Sequence, residues 1–191
     1  PQLPDEDAIW EMQLACQARL AALGYAQYEV SAYALSGFMC CHNLNYWHFG
    51  DYLGLGAGAH GKWTDAITQT IHRSVRVKQP RTYLAGQTAA ARLESSQTIS
   101  PSELPFEFML NALRLCEGFS AEQFESRTGH TLASLGSTLS RACRLGLVEE
   151  CDQSCWRATP FGRRFLNDLQ SMFLVEIPSS TTALSAPSTA V

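Results

Sequence analysis

Thiol, imidazole and aromatic side chains crowd into one short stretch of this chain. Cys40, Cys41 and His42 are consecutive, Tyr46, Trp47 and Tyr52 follow closely, and His48 and His60 lie on either side of a glycine-rich run. Imidazole and amide groups alternating with flat rings suit a pocket wall, in which the rings supply apolar contact and a few polar groups fix orientation. A lone histidine serves equally well as a hydrogen-bonded structural residue. The thiols point elsewhere. Neighbouring side chains on an extended backbone diverge, and no second ligand pair stands at zinc-finger spacing, so a mononuclear zinc site is not expected. Cys151 and Cys155 fall in an expected β-hairpin, where cross-strand thiols are the simplest reading.

The glycine run asks for different physics. Gly54, Gly56 and Gly58 alternate, which on an extended segment strips one face of side chains and lets another backbone or a ligand approach. The spelling Gly54-Leu55-Gly56-Ala57-Gly58-Ala59 also fits a dinucleotide-binding turn. That mechanism needs a helix immediately afterwards and an acid about twenty residues on. Gly61 spoils the helix start and no acid stands near Gln79, so the Rossmann reading fails.

Composition narrows the classes. The 191 residues are 46% hydrophobic, 17% charged and carry a formal charge of -4, enough apolar material for one or two small units and the wrong sign for nucleic acid. No apolar run reaches the about eighteen residues of a membrane helix, and the first residues lack the basic and apolar regions of a signal peptide. Peripheral membrane association is the one membrane mode left open, and a cytoplasmic location with seven free thiols is expected. The missing initiator methionine fits a piece of a longer protein.

The elements that must position these groups follow from periodicity. Residues 4–24 read as a helix opened by Asp5, Glu6 and Asp7 and closed by Gly24, with Ile9, Met12 or Gln13, Cys16, Leu20 and Leu23 recurring at helical spacing toward a core. A strand is expected over 25–34, with Glu29, Ser31 and Tyr33 on one face, and a second over 52–55. Residues 83–93 suggest a short helix, and the polar run 95–101 a linker. Helices at 106–117, 121–128 and 131–145, a hairpin pairing 147–150 with 155–158, and a closing helix to Phe173 make a winged-helix-like bundle. Ser120 with Gln123 is a capping box. Residues 178–191, rich in Ser, Thr and Ala, read as a disordered tail. Helix followed by strand in the first part indicates an α/β fold, or α+β taken alone. The units are therefore 1–94, a linker at 95–105, a helical domain at 106–176, and the tail from 177.

Three segments carry a resemblance. Tyr28-Glu29-Val30-Ser31-Ala32-Tyr33-Ala34, Cys40-Cys41-His42-Asn43-Leu44-Asn45-Tyr46-Trp47, and Phe49-Gly50-Asp51-Tyr52 through Gly61-Lys62 are similar to the C-terminal part of the HemW family of radical-SAM haem chaperones. That family is related to oxygen-independent coproporphyrinogen III oxidase, and the similarity runs from about residue 4 to 176. It implies that the first part is the end of a partial (β/α) radical-SAM barrel, with Glu29 and Ser31 toward its lumen. It implies His42 as the haem-iron ligand with Asn43, Tyr46 and Trp47 around the macrocycle, and Gly54, Gly56 and Gly58 near S-adenosylmethionine. Arg76, Lys78 and Arg81 would lie where cations meet porphyrin carboxylates. The three-cysteine loop for a 4Fe-4S cluster is not in this chain, so Cys151 and Cys155 are not its ligands and the chain alone is not expected to act as an enzyme. Haem-accepting proteins are the implied partners. Two other readings stand beside it: a coproporphyrinogen-oxidising enzyme, and a non-enzymatic winged-helix interaction module. The acidic balance of the helical lobe counsels against DNA.

Overall fold

A computed structural model describes residues 3–151 and 155–174; the expected tail at 177–191 lies outside them. Helix α1 (Glu6–Ala22) begins where Asp5 accepts the Ala8 amide, and Gly24 follows it at φ 82°. The expected core face is not covered: no α1 residue is buried, Ile9 and Met12 are 51% and 59% exposed, and Cys16 lies in the open.

The expected strand 25–34 is a hairpin, β1 (Ala26–Glu29) and β2 (Ala32–Ala34), paired antiparallel. It turns because the Glu29 carboxylate accepts the Ser31 amide at 2.9 Å, a local bond that competes with extension. Glu29, Ser31 and Tyr33 therefore do not share one face.

Helix α2 (Cys41–Trp47) replaces the extended segment expected at the thiols. Residues 52–55 form no strand, since Tyr52 meets Lys62 in an isolated bridge and the chain then loops. Strands β3 (His60–Thr64) and β4 (Ile71–Arg76) pair around a turn that Asp65 ties down through the Ile67 and Thr68 amides. The expected helix 83–93 is displaced to α3 (Pro80–Ala85), with proline at its first turn. The polar run read as a linker is instead β5 (Leu93–Thr98), which adds to β4. Serine and threonine alternation sits comfortably on an exposed edge strand, and composition alone could not distinguish that from a loop.

Helix α4 (Leu104–Ala112) ends earlier than its apolar pattern, because the Cys116 amide bonds the Tyr28 carbonyl and draws the chain back to β1. β6 (Phe119–Ser120) leads into α5 (Ala121–Thr128), which opens with the expected Ser120–Gln123 capping box. A 3-10 turn over Leu132–Leu135 precedes α6 (Gly136–Arg144). β7 (Val148–Cys151) and β8 (Cys155–Ala158) make the expected wing, with β6 on the other side of β8. The closing helix breaks at Phe165 into α7 (Pro160–Arg164) and α8 (Leu166–Ser171).

The fold is mixed α/β, with a winged-helix-like second part. Among the described residues all strand pairs are antiparallel and no barrel closes. One core runs through both parts, from Phe49 and Ile71 through Phe108, Phe119 and Phe124 to Leu169, with the phenylalanines meeting edge to face.

Candidate haem-binding helix

Two faces of α2 do different work. Residues four apart lie on one face of a helix, so Asn43 and Trp47 form one set and His42 and Tyr46 the other. The first set anchors. Asn43 Nδ2 donates to the Tyr28 hydroxyl at 3.2 Å, and the Arg114 guanidinium lies 4.3 Å over the Trp47 ring. Arg114 in turn pairs with Glu29 at 3.3 Å, and Glu29 is 3% exposed. Glu29 is thus an internal ion-pair partner, which accounts for it without a lumen-facing role.

The C-terminal end of α2 is fixed more tightly. Gly50 closes it through a 2.7 Å bond to the Asn45 carbonyl, and a side chain at Gly50 would run into Asn45. Phe49 adopts φ 59°, an uncommon conformation for a non-glycine residue. What holds it there is Lys62. Its ammonium donates to the Phe49 carbonyl at 2.8 Å and sits 3.9 Å over the Phe49 ring, although Lys62 is only 1% exposed. Asp51 approaches at 3.6 Å, and its own oxygens are held by the Thr64 amide and hydroxyl. Burial pushes Lys62 down to about 8, against the pull of Asp51 in the opposite direction.

Among the described residues three histidines have side-chain hydrogen-bond partners, and His42 and the likewise exposed His60 have none. His48 meets Glu117, His72 meets Thr70 and Thr98, and His130 meets the Pro101 carbonyl. His42 lies exposed on the first turn of α2, next to exposed Phe38, Met39, Cys40 and Cys41. Tyr46, one turn on, packs edge-on against Trp47 at 4.7 Å and against Tyr52 at 5.0 Å. A free imidazole beside an apolar rim and aromatic edges, on a helix pinned along its other face, can reach the iron of a large planar ligand from solvent. It is not locked in a dry interior.

The glycines part ways. A side chain at Gly54 would strike the His60 backbone, so its bare face is already taken by β3. Gly56 and Gly58 have φ of 103° and 72°, a turn and not an extended face, and nothing lies within 4 Å of a Cβ built on Gly56. This loop is laced down by Arg76 Nε on the Gly54 carbonyl, the Tyr83 hydroxyl on the Gly56 amide and the Val77 carbonyl on the Gly58 amide. Arg76 is thereby partly spent on structure, Lys78 faces Glu94 at 3.9 Å, and Arg81 is exposed. Cys151 and Cys155 are direct cross-strand partners with free thiols. Among the described residues no group of three or more His, Cys, Asp or Glu is placed to hold a metal ion.

Sequence reasoning missed Lys62 and Arg114, the residues that fix α2. The available signal for Lys62 was a charged residue flanked by glycine and tryptophan in an otherwise small-residue strand. For Arg114 there was none, because its partner Glu29 is far away in sequence.

Residues 99–165 match the HemN C-terminal domain. The chain is 41% identical over 176 residues to the heme chaperone HemW of Haemophilus influenzae, covering 92% of this chain and 44% of that protein. Identity to the heme chaperone HemW of Escherichia coli is 40%, covering 92% and 45%. It is 29% to that of Bacillus subtilis, covering 92% and 45%. Among solved structures, coproporphyrinogen III oxidase (HemN) from Escherichia coli, described as a radical SAM enzyme, shares the fold with a TM-score of 0.65 at 15% identity, over 90% of this chain and 42% of that one. The chain spans less than half the length of these relatives.

Proposed function

The chain is HemW-like, with a HemN C-terminal domain at residues 99–165, and on that premise we propose that it holds haem through His42 and passes it to acceptor proteins. The observation that carries this reading is the exposed His42 on a helix whose opposite face is anchored by Asn43 and Trp47. A cargo must be both held and surrendered. An axial ligand on the surface lets an acceptor approach the same iron and take over its coordination, which a buried ligand forbids. Tyr46, on the same face as His42, offers its ring to the macrocycle, while Trp47, under Arg114, and Asn43 keep α2 in place from the other side.

The partners in this reading are haem-accepting proteins of the cytoplasm. Among the described residues no helix is long and apolar enough to cross a membrane. Among the described residues no group of three or more His, Cys, Asp or Glu is placed to hold a cluster. If the intact protein carries S-adenosylmethionine, the open backbone at Gly56 fits a close approach, whereas Gly54 faces the His60 backbone and Gly58 faces Lys78.

A transfer assay tests the proposal. The haem-loaded chain, mixed with an apo-haemoprotein, should convert it to the holo form, and His42→Ala should load no haem to give. Conversion at the same rate from free haem and from the loaded chain, with His42→Ala loading normally, would defeat the reading. Accumulation of a decarboxylated porphyrinogen under anaerobic conditions would favour an oxidase instead.

A further inference from the structure

The sheet β3–β4–β5 carries a polar set on the face that meets α2. Directly paired residues share a face, and the registers Lys62↔Arg73, Arg73↔Gln97, His60↔Val75 and Val75↔Ser95 put His60, Lys62, Arg73, Ser95 and Gln97 together. Between this face and α2 lies a cavity of about 280 Å³, lined by Tyr46, Tyr52, His60, Arg73, Ser95 and Gln97 among others. A space that small falls below the roughly 300–1,000 Å³ of pockets for drug-sized ligands. It admits a side arm, not a macrocycle.

Its chemistry is that of an anion receptor. Arg73 forms an ion pair with Glu107, yet its Nε is buried and has no hydrogen-bond partner among the described residues. A guanidinium carries five N–H donors and one carboxylate occupies at most two of them, so donor capacity is left over. Lys62, beside it in register, is committed to Phe49 and Asp51. Tyr46 and Tyr52 bring hydroxyl donors, and the Tyr52 phenol is pushed up by burial and by Tyr46, so it stays protonated. Glu107 already sits against Arg73, and its carboxyl is pushed up by burial, which softens repulsion of a second acid. Tyr46 also joins this cavity to His42, because the two lie about one helical turn apart on the same face of α2, about 6 Å along the axis.

We propose that this cavity is a carboxylate subsite in which Arg73 receives one propionate of the porphyrin held at His42, an assignment that rests on the haem reading above. Tyr46 is the hinge between the two, contacting the macrocycle on one side and the acid on the other. The aromatic edge then sets where the ring lies, and Arg73 sets its rotation about the iron–nitrogen axis.

The test titrates the whole chain with haem and with haem dimethyl ester, whose propionates carry no charge. The unaltered chain should prefer the free acid on the order of tenfold, the worth of one charge-assisted pair. Arg73→Met combined with Glu107→Gln, which leaves no buried charge unpaired, should equalise the two ligands while keeping the His42-dependent Soret band. Retention of the preference in that double variant overturns the subsite, as does its absence from the unaltered chain. If His42→Ala leaves both spectra unchanged, the haem reading fails instead. Sodium propionate alone then decides: shifts of the Tyr46 and Tyr52 ring resonances that vanish in the double variant keep a small-carboxylate site, and no shifts remove it.

Discussion

Lys62 concentrates the cost of building the site at a single residue. Its ammonium is buried where only the Phe49 carbonyl, the Phe49 ring and Asp51 compensate for lost water. The sign of its pH dependence follows. The folded value is lowered to about 8 from an ordinary 10.5, so the unfolded chain binds the extra proton between those values. The ion is destabilising at neutral pH, and the folded state gains on the unfolded one as pH rises. Read as the difference between the unaltered chain and Lys62→Met, which cancels the buried thiols of Cys116, Cys143 and Cys155, urea stability should climb by on the order of 2 kcal/mol between about pH 7 and pH 9.5. A flat difference would show that Lys62 is not desolvated. Arg114 predicts the opposite kind of effect. Arg114→Leu strands Glu29 inside the fold and should cost about 3 kcal/mol in urea unfolding, whereas Arg114→Leu with Glu29→Gln should recover most of it.

At the scale of elements, packing of the wing is set by two glycines. A side chain at Gly118, already at φ 81°, would collide with the Trp156 backbone, and one at Gly162 with the Leu147 carbonyl. Gly118→Ala and Gly162→Ala should each lower stability by more than about 2 kcal/mol, measured by thermal unfolding, because backbone cannot move aside as a side-chain tip can. The second part of the fold was largely legible in the sequence, since α5, α6 and the β7–β8 hairpin each carry local punctuation: Ser120 with Gln123, Gly146, and the polar residues Asp152, Gln153 and Ser154 in the sequence. The first part was not. β5 looks like a linker because its pairing is supplied by β4, and α2 looks like a pocket wall because its aromatic sequence has no helical periodicity. His42, Tyr46 and Trp47 could be singled out by type, but the residues holding them come from β1, β3 and the end of α4, and no local pattern announces such partners.

Across the whole molecule, apolar surface is distributed unevenly. The helical part encloses Phe108, Phe119, Phe124 and Phe173 but leaves Phe161 and Phe165 exposed, while α1 leaves Ile9, Met12, Leu14 and Leu23 open, and Phe38, Leu53 and Leu55 are exposed around α2. The apolar residues of α1 are spread around the helix and form no single apolar face, which is why its expected core failed to appear. Replacing Ile9 and Met12 by glutamine should leave the unfolding midpoint within about 0.5 kcal/mol, since exposed side chains bring little burial. A loss of several times that would mean the face is packed. The open rim at Phe38 to His42 belongs to the same distribution, and the account of function rests on it. The most direct test is the absorption spectrum of the chain on stepwise addition of haem. A shifted Soret band that saturates and is lost in His42→Ala, with His48→Ala unchanged, is the expected result; an identical band in His42→Ala would contradict the central claim.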